Sequence, residues 1–100
     1  MRKLRKYEEV VKRGIGKLDA VLPIFYDWRM NIDKDKLNFL SFSHCLLGQL
    51  YGNYGNGLKI LCPHKAVRVK WAIENGFDIG YPLNLYKENK FLVQEWKRQL

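Results

Sequence analysis

The sequence predicts an all-α fold: one small domain built as a bundle of four to six mostly short helices. Three observations carry this. Apolar residues recur at spacings of three or four near both ends of the chain, as one face of a helix requires. No alternating apolar–polar stretch runs longer than a few residues, so strands have no pattern to form on. Glycine, proline and asparagine cut the middle of the chain into segments too short for long helices.

Residues 3 to 22 place Leu4, Tyr7, Val11, Ile15, Leu18 and Leu22 on one face, with a basic face opposite. Gly14 and Gly16 each cost roughly 1 kcal/mol relative to Ala in a helix, so a kink or break is expected there. Pro23 ends the helix. Residues 24 to 42 are the least defined; IFYDWRM reads as extended chain or a short helical turn. Asp33 or Asp35 is suited to cap a brief helix through Leu37 to Leu40. Ser41 or Ser43 is then expected to cap a helix of about two turns over HCLLGQLYG. The stretch GNYGNG, residues 52 to 57, reads as a turn or tight corner, and LKILC as a short helix to Cys62. Pro63 suits the first position of the next helix, whose register is Ala66, Val69, Ala72 and Ile73. Asn75-Gly76 signals its end, and residues 78 to 85 form a loop. A last helix over 86 to 100 lines up Leu92, Trp96 and Leu100.

One hundred residues can bury one modest core and no more. Apolar types at 47% and charged types at 28% fit a globular protein rather than a disordered tail. The size argues against a large multi-step enzyme. No apolar run approaches the roughly 18 residues of a membrane span, and the basic N-terminus lacks the apolar core of a signal peptide. Two cysteines, Cys45 and Cys62, are too few for a disulfide scaffold and read as buried thiols of a reducing cytoplasm.

The chain is strongly basic, with 18 Lys and Arg against 10 Asp and Glu and a net charge of +8. Its first seventeen residues hold Arg2, Lys3, Arg5, Lys6, Lys12, Arg13 and Lys17 against Glu8 and Glu9. A second basic set, Lys59, Lys65, Arg68 and Lys70, lies near Tyr51, Tyr54 and Trp71 in sequence. Basic groups interleaved with aromatic rings hold phosphates and stack bases; the alternative is a solvated face that aids solubility.

The segment around Gly48 is the most informative locally. Cys45, Gly48, Gln49 and Gly52 share one helix face that is small except for one amide. Something must therefore approach the Gly48 backbone closely. One reading is a second helix, such as the one carrying Trp96, with Gln49 tying down a loop carbonyl. The other is a notch in which Gln49 contacts a ligand. A buried amide left unpaired costs about 1–3 kcal/mol, so Gln49 needs a partner in both.

Catalytic and metal patterns are weak. His44, Cys45, Cys62 and His64 offer ligand types, but no Cys-x-x-Cys or His-x-x-x-His spacing accompanies them, so no metal or other cofactor is expected. Ser41 or Ser43 with His44 supplies letters of a triad without a nucleophile-elbow motif. No catalytic residue is assigned.

The run FSHCLLGQLYGNYGNGLKIL, with GIGKLDAVLP and IDKDKL upstream and AIENGFDI and LVQEWKRQL downstream, resembles a family of small uncharacterised proteins. Their genes lie in bacteriophages and in mobile elements of Gram-positive bacteria. The matching positions are Cys45, Gly48, Gln49, Tyr51, Gly52, Gly57, Gly76, Phe77 and Trp96. The resemblance supplies no activity. It implies a phage-type accessory protein that acts on host processes or host defence.

Together these readings describe a non-enzymatic binding protein of the host cytoplasm that antagonises a host pathway. Its expected partner is an anionic ligand, a nucleotide signal or nucleic acid, or an acidic nucleic-acid-handling host protein, with self-association left open. The residues expected to bind are Gln49, Tyr51, Tyr54, Lys59, Lys65 and Arg68. The alternatives are a sequence-independent nucleic-acid-binding accessory protein and a small hydrolase.

Overall fold

A computed structural model describes residues 6 to 100; the expected contributions of Arg2, Lys3, Leu4 and Arg5 lie outside the described residues. The described residues hold no strand and form five α-helices: α1 (Glu8–Val21), α2 (Leu46–Tyr51), α3 (Tyr54–Leu61), α4 (Arg68–Glu74) and α5 (Leu85–Gln99). Three short 3₁₀ turns, Trp28–Asn31, Lys34–Lys36 and Lys65–Val67, fill the connections. The all-α class expected from the periodicity is the observed one.

α1 is a single unbroken helix, so the break expected at its glycines does not occur. The two glycines have different surroundings. A Cβ built on Gly14 would stand 2.2 Å from the Asn75 carbonyl oxygen and 3.1 Å from the Trp96 ring, whereas one on Gly16 would meet open space. Gly14 therefore lets α1 lie directly against the end of α4 and the ring of α5. Gly76 completes this crossing with a left-handed φ of 74° that closes α4 beside the Val10 carbonyl. Arg13 donates from Nε to the Glu74 carbonyl, 2.8 Å away, and so places a cation at the carbonyl end of α4.

The core is continuous across these helices. Val11 and Leu18 of α1, Leu46 and Leu47 of α2, Leu58 of α3, Ala72 of α4 and Leu92 and Trp96 of α5 are all buried. Trp71, Phe77 and Trp96 stack in series at 5.5 and 5.7 Å between centroids. The Trp96 indole N–H donates to the Gly76 carbonyl at 2.6 Å, so this core ring also carries a satisfied polar end.

The connection between α1 and α2 is irregular but anchored. Trp28, Ile32 and Leu37 are buried. The Trp28 indole N–H donates to Asp19 at 2.9 Å, and Arg29 forks onto the same carboxylate with two 3.0 Å bonds. Asn89 of α5 accepts from the Phe39 N–H at 2.8 Å and donates to Asn38 at 3.1 Å.

Four local expectations change. Asp33 caps only the 3₁₀ turn Lys34–Lys36, and Leu37 to Leu40 is not helical. α2 is capped by Cys45, whose Sγ accepts from the Gly48 N–H at 3.3 Å, because its extended backbone rather than that of Ser41 or Ser43 precedes the first helical residue. α3 starts inside the GNYGNG stretch at Tyr54, since Asn53 caps it by accepting from the Asn56 N–H at 2.8 Å. Pro63 precedes a 3₁₀ turn, and α4 begins only at Arg68.

Candidate functional site

The residues expected to bind a ligand lie on or beside the α2–α3 pair, which packs closely through Leu47 and Gly57. A Cβ on Gly57 would come within 2.9 Å of the Leu47 side chain and 3.1 Å of the Tyr51 ring. The element facing Gly48 is not a second helix. Its missing side chain makes room for the preceding loop, with the Phe42 carbonyl oxygen 2.3 Å from where a Cβ would stand. The helix carrying Trp96, the example offered for that reading, places its ring against Gly14 instead.

Gln49 spends its whole amide on the chain itself. Its Oε1 accepts from the Asp33 N–H at 2.6 Å, while its Nε2 donates to the carbonyls of Asp33 at 3.2 Å and His44 at 3.0 Å. It clamps the irregular connection onto α2. Tyr54 donates its hydroxyl to Asp78 Oδ2 and stacks on Phe42 at 6.0 Å. Burial, and then the Asp78 carboxylate, push the Tyr54 phenol well above its ordinary pKa. Tyr51 is half-buried against the core, and burial raises its phenol too. Arg68 folds back on the end of α3, donating from Nε to the Cys62 carbonyl at 2.8 Å and from Nη2 to that of Pro63 at 3.0 Å.

The polar ends of three of these six residues turn to different parts of the chain. Gln49 is aimed at the 33–44 connection, Tyr54 at Asp78, and Arg68 at the turn after α3. Lys59 and Lys65 are exposed and have no ion-pair partner among the described residues. No protein family, curated protein or solved structure matches this chain.

The charges divide unevenly. Glu8, Glu9, Asp19, Glu74, Glu88 and Glu95 are each held in ion pairs with Lys6, Lys12, Arg29, Lys70 or Arg98. Asp33 and Asp78 accept hydrogen bonds from the chain. Most of the acidic complement is thus used internally. Lys17, Lys34, Lys36, Lys59, Lys65, Lys90 and Lys97 are exposed and outside every ion pair among the described residues.

Ser41, Ser43 and His44 do come together. Both hydroxyls reach the His44 Nδ1, at 3.1 and 3.2 Å, so they compete for one ring nitrogen. No carboxylate among the described residues hydrogen-bonds to His44 to complete a triad. Among the described residues, no three His, Cys, Asp or Glu side chains gather as metal ligands.

A different concavity was not legible as a site in the sequence. A groove of about 400 Å³ lies at the start of α5, lined by Lys6, Pro82, Leu83, Asn84, Lys87, Glu88 and Phe91. Lys87 and Phe91 are four residues apart on α5, and the ammonium stands 5.7 Å from the ring centroid. That spacing was the available signal. Lys6 and the 82–84 loop reach the groove only through the fold.

Proposed function

We propose that this chain is a non-enzymatic binding protein whose partner is nucleic acid, held through an open basic surface rather than through a pocket at the glycine turn. The observation that carries the reading is the division of charge. Most of the carboxylates sit in ion pairs or accept hydrogen bonds within the chain. Lys17, Lys34, Lys36, Lys59, Lys65, Lys90 and Lys97, by contrast, present ammonium groups to solvent with no ion-pair partner among the described residues. Such a surface attracts a polyanion by releasing its condensed counterions, without reading sequence.

The small-ligand alternative at Gln49, Tyr54 and Arg68 has less support, because their polar groups are already satisfied by the chain. For a phage-type protein of the kind the resemblance implies, a nucleic-acid partner would let it compete with a host enzyme for that polymer.

Fluorescence anisotropy with labelled oligonucleotides, in a salt series, tests the reading. Affinity is expected to fall by at least about tenfold between roughly 50 and 200 mM salt. Absence of binding at the lowest salt overturns it, and binding confined to an acidic protein would transfer the same surface to that partner.

A further inference from the structure

Resting on that reading, we infer that the groove at the start of α5 is a subsite for one nucleotide, with the base against its apolar wall and the phosphate at its lysines. The groove has three chemical parts on its lining. Pro82, Leu83 and Phe91 form an apolar side, and Leu83 is fully exposed at 109%. A side chain left this open on a loop contributes nothing to the core. Lys6 and Lys87 supply two ammonium groups. Glu88 supplies a carboxylate that is only 6% exposed.

Glu88 is the second, independent observation. Its Oε1 pairs with Lys6, but its Oε2 is buried and has no hydrogen-bond partner. It is the one such side-chain atom among the described residues. Buried acceptors are almost always satisfied, so an orphan in the wall of a groove marks a place where a donor is wanted. Lys6 pairs with the other oxygen, Oε1, and its side chain is mostly exposed, so its ammonium also faces the groove. Oε2 is the acceptor that remains for a donor from the occupant.

The occupant must combine an N–H donor, a flat apolar body and an anion. A nucleobase joined to a phosphate has all three: ring or exocyclic N–H groups, a π-face and phosphate oxygens. A sugar phosphate lacks the first two, and an apolar anion lacks the donor. A groove of about 400 Å³ falls within the range of small-ligand sites. The same chemistry arises from a free nucleotide or from one residue of a single strand, whereas bases stacked inside a duplex cannot enter.

Two-dimensional NMR on the full chain tests this with nucleoside 5′-monophosphates, ribose 5-phosphate, single-stranded oligonucleotides and the matching duplex. The expected result is that monophosphates and single strands shift Leu83, Lys87 and Phe91, while ribose 5-phosphate and duplex do not. Leu83→Asp, at a position with no packing role, and Phe91→Ala should each weaken nucleotide binding at least about fivefold, the low end of a base–aromatic contact, with unchanged far-UV circular dichroism. Equal shifts from ribose 5-phosphate would overturn the subsite by reducing it to lysine charge. A groove silent to every nucleotide and single strand also overturns it, even if oligonucleotides bind elsewhere and the open-surface reading stands. Monophosphates binding in the groove with no oligonucleotide bound anywhere would support the subsite and sink the open-surface reading.

Discussion

Two glycines two positions apart on α1 make opposite demands. Gly16 faces open space in a helical backbone, so Gly16→Ala should stabilise the protein by about 0.5–1 kcal/mol through helix propensity alone. Gly14→Ala should destabilise it by about 1–3 kcal/mol, because the new methyl collides with the Asn75 carbonyl and the Trp96 ring. Urea titrations of the two variants check both signs. Gln49 is the residue whose role sequence reasoning left open between clamp and ligand contact. Gln49→Leu should cost about 1–3 kcal/mol by leaving the Asp33 and His44 groups without their partner, while oligonucleotide affinity of the folded variant stays the same. A folded variant that loses binding would return the residue to the ligand. The need for a partner was legible from the lone amide on a small face. Which partner was not, because Asp33 lies sixteen residues away in a connection with no periodic pattern.

At the level of elements, α5 was legible to within a residue at each end, while α1 was legible at its C-terminal end but starts only at Glu8, with Lys6 and Tyr7 outside the helix. The capping was less so. Cys45 caps α2 although thiols are poor caps by type, because the close approach of the Phe42–Ser43 backbone to Gly48 fixes where that helix can begin. The connection between α1 and α2 was illegible for the same kind of reason: it is held by single polar contacts, not by a repeating face. Asp19, Trp28 and Arg29 form its first anchor. The Arg29 guanidinium, and then the Trp28 indole, hold the Asp19 carboxyl below its ordinary pKa. A folded pKa depressed in this way gives stability that is present above the unfolded value of about 3.9 and lost as pH falls through the folded value. Thermal melts should therefore weaken as pH drops below about 4. Asp19→Asn should lower the melting temperature at neutral pH, and the gap to the parent chain should close in acid. A constant gap across pH would assign the loss to packing instead. Tyr54 ties the start of α3 to Asp78, and Tyr54→Phe should cost about 1.5–3 kcal/mol by removing a bond to a charged acceptor, read by the same melts.

For the molecule as a whole, sign of charge was legible and its distribution was not. Counting residues gives +8, but only the fold shows that carboxylates are tied up while lysines stand in solvent. Arg68 illustrates the difference: it belongs to a basic cluster in sequence, yet its guanidinium is committed to two backbone carbonyls. Charge reversal at Lys59 and Lys65 together should lower oligonucleotide affinity. It should also reduce the slope of log affinity against log salt by about one for each phosphate that is no longer neutralised. Arg68→Ala should mainly lower the melting temperature. An unchanged slope in the double variant would remove those lysines from the interface. The two cysteines offer a view of the molecule's breathing. Cys45 and Cys62 are free thiols, 3% and 5% exposed, at the entry of α2 and the exit of α3. A thiol reagent in solution can modify them only during excursions that uncover them. The labelling rate of each therefore clocks the opening of its own end of the helix pair. Equal rates would mean that the α2–α3 corner detaches as one unit, and a faster Cys62 would mean that the chain unzips from the α3 end first.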